Sequence, residues 1–113
     1  MIRLKIKALS VNKAWKGRRF KTDDYKMYER AMNCTLPKMQ IPTGLLKLTI
    51  KFGFYSKAAD IDNGLKTFID CLQKKYDFND NKIKSLVVDV DNNVKIGGDY
   101  IEFKIEALDH AKK

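Results

Sequence analysis

Histidine and cysteine are nearly missing from this chain. One His (His110) and two Cys (Cys34 and Cys71) stand among 113 residues. A lone imidazole near the C-terminus excludes a His-based metal site and argues against a His-based nucleophilic triad. Two cysteines are too few for a disulfide framework. Each falls in a helical pattern near core positions, so both are expected as buried free thiols. No apolar run approaches the ~20 residues of a membrane span, and the N-terminus has no signal-peptide hydrophobic region. The expectation is a cytoplasmic protein with no membrane partner. There is no internal repeat, linker or low-complexity tract, and the length suits one domain, 1–113.

Acid is also missing where base is abundant. Before Asp23 there are Arg3, Lys5, Lys7, Lys13, Lys16, Arg18, Arg19 and Lys21, and no Asp or Glu. The net charge of +9 and pI near 9.6 are high for so small a domain. A surface of this kind attracts polyanions, nucleic acid first among them. A lysine-rich solvated surface is the plainer reading; no basic amphipathic helix accompanies the charge, which disfavours a membrane surface. The stretch from Ser10 to Phe20 has no clean period and interleaves Trp15 with cations, as a loop or ragged hairpin would. Aromatics among cations suit contact with phosphates and bases. Trp15 reads equally well as a core anchor.

Hydrophobic periodicity predicts the rest. Ile2, Leu4 and Ile6 alternate with cations, a half-buried strand. Thr22 is a good N-cap for a helix with Asp23 and Asp24 in its first turn, the stripe Tyr25, Tyr28, Met32, and Pro37 past its end. Leu46, Leu48, Ile50, Phe52 and Phe54 alternate with Lys47, Thr49, Lys51 and Gly53, the strongest strand signal present. From Asn63 a second helix carries Leu65, Phe68, Ile69, Leu72 and Tyr76 on one stripe. Asp77 to Asn81 is a polar turn, and Leu86-Val87-Val88 within 83–90 reads as a central strand. Ile101, Phe103 and Ile105 oppose Glu102, Lys104 and Glu106 in a last strand. The order implies an α/β fold: a small single domain with a mixed β-sheet and two main helices packed on it.

The segment between the strong strand and the second helix concentrates the chemistry. Asp60 and Asp62 stand just before the helix or in its first turn. Asp62 and Lys66 are four apart and would share an outward helix face. Asp80, after the helix, could return to the same neighbourhood. An Asp-x-Asp alone means little, since eleven Asp in 113 residues give about one by chance. A second pair, Asp89 and Asp91, opens like a calcium loop but has Val94 where Gly is required and Tyr100 where Glu is required. Surface strand-end acids explain that pair. For Asp60 and Asp62, helix capping accounts for one acid better than for two with Lys66 and Asp80. Three carboxylates within about 5 Å would repel pairwise by on the order of 3 kcal/mol at an effective dielectric near 20. A hard cation would neutralise them, and oxygen-only ligands suit Mg²⁺ or Mn²⁺. Such an ion polarises a phosphodiester and activates water, while a nearby lysine offsets charge on the phosphate.

These residues resemble the RusA family of Holliday-junction resolvases over most of the chain, roughly Leu9 to Ala107. Ser10-Val11-Asn12-Lys13 and Lys16-Gly17-Arg18-Arg19 are similar to the family's Ser/Asn-containing loop and the basic, Gly-containing stretch after it. Asp60-Ile61-Asp62-Asn63 with Lys66 resembles its central Asp-x-Asp-Asn motif and following lysine. Asp80-Asn81-Lys82-Ile83 resembles its third acid, in a turn before a Val/Ile-rich strand, and Gly97-Gly98 its turn before the last strand. Leu9-Ser10-Val11 lacks the proline that starts the family's loop, and Asn79 stands where an acidic pair is common. The resemblance implies a homodimer that binds branched DNA, a four-way junction, and cuts symmetrically related strands, with no small-molecule cofactor. It implies Asp60, Asp62 and Asp80 as metal ligands, Lys66 as the catalytic lysine, and DNA contacts from Asn12, Lys13, Lys16, Arg18, Arg19 and Asn63. Asn63 would orient a ligand or make a helix-start hydrogen bond. Two other classes fit parts of the sequence: a non-catalytic DNA- or RNA-binding module whose acids are caps, and a Mg²⁺ enzyme acting on nucleotides.

Overall fold

The computed structural model describes residues 1–9, 15–16, 20–57 and 64–108, with the backbone alone at 15, 16 and 20. In chain order the elements are β1 (Ile2–Leu4), β2 (Trp15–Lys16), β3 (Phe20–Lys21), α1 (Asp23–Thr35), β4 (Leu46–Gly53), α2 (Leu65–Tyr76), a 3-10 turn (Asp80–Lys82), β5 (Ile83–Asp91) and β6 (Tyr100–Ala107). Four strands form one sheet in the order β1-β6-β4-β5, and β2 pairs with β3 as a small hairpin. Only β4 and β5 run parallel, joined by the crossover through α2; the other neighbours are antiparallel. This is the mixed α/β sheet with two helices that the periodicity predicts.

The elements form for local reasons. Thr22 caps α1, its hydroxyl accepting from the Tyr25 amide at 3.2 Å, and Asp23 and Asp24 favour the positive end of the helix dipole. Tyr25, Tyr28 and Met32 are the buried stripe of that helix. In β4 the alternation is complete: Leu46, Leu48, Ile50 and Phe52 are buried, with Lys47, Thr49 and Lys51 on the other face. Phe68 of α2 sits at the centre, its ring edge-on to Phe103 at 5.4 Å and to Phe52 at 6.4 Å. Each such side chain contributes about 1.5–3 kcal/mol through burial.

The sheet is therefore two-faced. Helices cover one face. The other carries Arg3, Lys47, Lys51 and Lys104 among Glu102, Glu106, Asp89 and Asp91, with Arg3, Glu102, Lys51 and Asp89 in one row across the strands. Cation and anion alternate there and balance, so the excess positive charge lies elsewhere.

Two expectations are corrected. The run Leu86-Val87-Val88 is not a central strand: among the described residues β5 is the sheet's edge, with Leu86 43% and Val87 40% exposed. A continuous apolar run reads as buried on both faces, but an edge position leaves such a run equally well in solvent. Cys71 is buried as expected, whereas Cys34 is exposed. It lies two residues past Met32, which turns it away from the stripe facing the sheet.

Candidate functional site

The chain leaves β4 through a tightly held stretch. The Phe54 amide donates to the Asp91 carbonyl at 2.9 Å. The Asn92 side-chain amide donates to the Phe54 carbonyl at 3.2 Å and to the Ser56 carbonyl at 3.1 Å, and the Tyr55 amide donates to Asp99 Oδ1 at 2.8 Å. Three consecutive residues are thus fixed by the loop between β5 and β6, four residues before Asp60. Tyr100 braces that loop. Its ring lies over Gly53, where an added Cβ would come within 2.5 Å of it, and its hydroxyl donates to Asp91 Oδ2 at 2.7 Å. Arg3 also stacks on the ring, its guanidinium carbon 3.8 Å from the centroid. The Tyr100 hydroxyl and the Asn93 amide hold the Asp91 carboxyl below its ordinary range. So Asp89 is a surface strand-end acid as expected, while Asp91 belongs to this brace.

The lead-in to α2 is fixed as well. Gly64 is the N-cap, buried, with no side-chain cap hydrogen bond and no acid in the first turn of the helix. A Cβ at Gly64 would meet the Ala8 Cβ at 2.6 Å, so glycine is required for that approach. Thr67, one turn on, is 1% exposed; its hydroxyl reaches the Leu9 carbonyl at 2.6 Å and the Gly64 carbonyl at 3.2 Å. Burial pushes the neighbouring Tyr28 phenol well up, which the Thr67 hydroxyl partly offsets. No hydrogen bond of good geometry satisfies the Tyr28 hydroxyl among the described residues. The contact of Leu9 and Ala8 with Thr67 and Gly64 joins two parts of the sequence. Leu9 is the last residue before the basic, Trp-containing stretch, and Gly64 the first after the acid-bearing one.

Of the candidate site residues, Asn12, Lys13, Arg18, Arg19, Asp60, Asp62, Asn63 and the Lys16 side chain lie outside the described residues, as does the Trp15 side chain. Lys66 is exposed in the first turn of α2. α2 spans Leu65–Tyr76 with Gly64 as its N-cap, and the expected face shared by Asp62 and Lys66 involves a residue outside the described ones. Asp80 is exposed at the opposite end: its amide donates to Gln73 Oε1 at 2.8 Å. Lys66 and Gln73 are two turns apart, about 10 Å along the axis, so the Asp80 backbone is anchored toward the finish of the helix and not beside its first turn. The cause is local. Asp77 ends α2 in the left-handed region (φ 53), and the turn then feeds β5, whose Ile83 pairs with Leu46 at the far end of β4.

Among the described residues no three His, Cys, Asp or Glu side chains gather as a metal site. The donor chemistry of Asp60, Asp62 and Asp80 fits a hard cation, and the geometry adds a condition. Within one chain Asp80 is anchored at the finish of α2, whereas Lys66 stands in its first turn.

Another titratable cluster lies between the helices and has a structural explanation. Lys21 and Lys74 both donate to Glu29, and a groove of about 280 Å³ beside them is lined by Glu29, Arg30, Asn33, Cys71 and Lys74. Burial works to raise the Glu29 carboxyl, but the two lysines outweigh it and leave it below its ordinary value. Burial pushes the Cys71 thiol up to about 12, so it stays protonated and unreactive.

Asn92, Asp99 and Thr67 had no signal in the sequence beyond a turn composition and a helical position. In comparisons with known proteins, no protein-family model and no curated protein matches this chain.

Proposed function

We propose that this chain is a Mg²⁺-dependent, structure-selective DNA endonuclease that acts on four-way junctions as a homodimer, as its resemblance to the RusA resolvases implies. The observation that supports it is the joint between Leu9 and Thr67 at 2.6 Å. Through it the basic stretch and the acid-bearing stretch, distant in sequence, begin and end at one place. That place is the carboxyl end of β4, a parallel strand, where α/β sheets commonly carry their reactive loops. Lys66 is exposed there, and the N-terminus of α2 adds amides without a side-chain cap.

In this reading Asp60, Asp62 and Asp80 hold the ion, with Mn²⁺ as a substitute for Mg²⁺. When bound, the ion supplies polarisation of the phosphodiester and a more acidic water. Lys66 offsets charge on the scissile phosphate. Asn12, Lys13, Lys16, Arg18 and Arg19 grip the DNA backbone, and Asn63 orients a ligand or bonds the helix start. Paired cuts follow from a two-fold dimer presenting two equivalent sites to a two-fold junction.

The deciding assay is cleavage of a synthetic four-way junction with Mg²⁺, beside linear duplex. Wild type should nick the junction in pairs, and Asp62→Asn should bind it in Ca²⁺ without cutting. Salt-dependent binding with no Mg²⁺-dependent product from wild type would leave only a nucleic-acid-binding module.

A further inference from the structure

We propose that Asn92 and Asp99, in the loop between β5 and β6, are positioning residues for the acid-bearing segment. They fix where the chain leaves β4, and so where Asp60 and Asp62 can meet a divalent cation. The metal half of this statement rests on the nuclease reading; the holding of the backbone does not.

Four hydrogen bonds join β5 and its loop to three consecutive residues past the end of β4. The Phe54 amide donates to the Asp91 carbonyl at 2.9 Å, and the Tyr55 amide to Asp99 Oδ1 at 2.8 Å. Asn92 Nδ2 donates to the carbonyls of Phe54 and Ser56, at 3.2 and 3.1 Å. Only the first of these is backbone to backbone; the other three come from two side chains. Asn92 is exposed and Asp99 half-buried, so neither packs in the core. An exposed asparagine gains little stability by bonding carbonyls that water would satisfy nearly as well. What such bonds do supply is a fixed direction for the chain.

The loop itself stands on a firm base. Asp91, one residue before Asn92, has its carboxyl held by the Tyr100 hydroxyl and the Asn93 amide. Tyr100, one residue after Asp99, is buried, fills the space over Gly53 and carries Arg3 on its ring. Residues of β1, β4, β5 and β6 thus meet at one corner of the sheet. Asn92 and Asp99 each adjoin a member of that corner, so the corner's rigidity passes directly to the exit of β4.

That exit leads straight to the acids. Seven residues, 57–63, separate Ser56 from Gly64, and Gly64 is fixed by its close approach to Ala8. So short a stretch with both ends set has few ways to place its side chains. Asp60 and Asp62 belong to it. Two carboxylates brought together repel until a cation neutralises them, and a loose end would let them part. Holding the ends beforehand lowers the ordering cost of binding the ion.

Two measurements on the whole chain without DNA test this: Mn²⁺ binding by electron paramagnetic resonance, and deuterium exchange of the Tyr55 amide. Asn92→Ala removes both donors and adds no charge, and Asp99→Ala removes the acceptor. Each should weaken Mn²⁺ binding about tenfold, the low end for groups that act behind metal ligands. Each should also speed exchange of the Tyr55 amide about fivefold, as one lost hydrogen bond of ordinary strength allows. A cooperative unfolding transition near that of wild type shows that the fold survives. Asp99→Asn keeps an oxygen for the Tyr55 amide and loses only the charge, so it should match wild type in both readouts. Unchanged exchange in the alanine variants overturns the holding. Faster exchange with unchanged Mn²⁺ binding makes the loop merely structural and overturns the positioning role. Asp99→Asn as impaired as Asp99→Ala assigns the effect to charge and overturns it too. A wild type that binds no Mn²⁺ removes the nuclease reading and the metal half with it, while exchange still decides the holding. A wild type that binds Mn²⁺ and cuts junctions, with alanine variants that do both equally well, removes the positioning role alone.

Discussion

The two ends of α2 are held in opposite ways. At its start, a glycine cap and the Thr67 hydroxyl tie the helix to Ala8 and Leu9, residues from the far end of the chain. At its finish the contacts that hold Asp80 are near in sequence: Asp77 turns left-handed, Gln73 accepts from the Asp80 amide, and Asn79 caps the 3-10 turn. Long-range contacts gather segments that work together, while short-range contacts hold a residue to its own neighbourhood. The start of α2 is thus a meeting point, and its finish delivers one acid outward.

That contrast can be broken most forcefully by mixing subunits. Asp62→Asn and Asp80→Asn should each lower junction cleavage by roughly 100-fold or more, since even groups behind metal ligands cost 10–100-fold. Neither should shift the unfolding temperature appreciably. If Asp80 serves the partner's site, a mixture of the two inactive variants regains cleavage, because one site of each mixed dimer is intact. If it served its own chain, both sites would stay dead.

A smaller effect separates the meeting point from ordinary packing. Thr67→Val keeps the shape and removes the donor, leaving the Leu9 and Gly64 carbonyls without it. The expected loss is about 1–3 kcal/mol of stability, or several degrees of unfolding temperature, with weakened junction binding beside it. Thr67→Ser should restore both; a serine variant as impaired as valine would mean that the methyl group, not the hydroxyl, matters.

The smallest effect sharpens the comparison with the purely structural ion cluster. Lys21 and Lys74 hold the Glu29 carboxyl below its ordinary value. Its stabilisation is then complete above that value of 4.5 and fades as pH falls through the lower folded one. Glu29→Gln should cost roughly 0.5–1 kcal/mol at pH 7 and progressively less as pH falls below 4.5, with junction cleavage unchanged.

Much of the fold was legible because burial imposes a period. The alternation from Leu46 to Phe54 and the stripe from Leu65 to Tyr76 each name an element and its inner face. Thr22 and Pro37 bracket the first helix by local stereochemistry. The apolar run at Leu86 to Val88 misled because residue type reports a preference for burial, not a strand's place in the sheet order. The candidate acids were legible only as a motif, and nothing around Asp80 revealed at which end of the helix it would remain. Asn92 and Asp99 look like ordinary turn residues until the β5–β6 loop is seen against Phe54–Ser56.

By itself, then, the sequence determined the element types, the inner faces, the charge and the identity of the acids and cations, all of which follow from short-range periods and composition. The tertiary structure alone decided which strand lies at the edge, that Leu9 meets Thr67, and that Lys66 and Asp80 stand at opposite ends of one helix. The reason is that each depends on how strands order themselves in the sheet and where the crossover returns, and those outcomes are properties of the whole chain's packing.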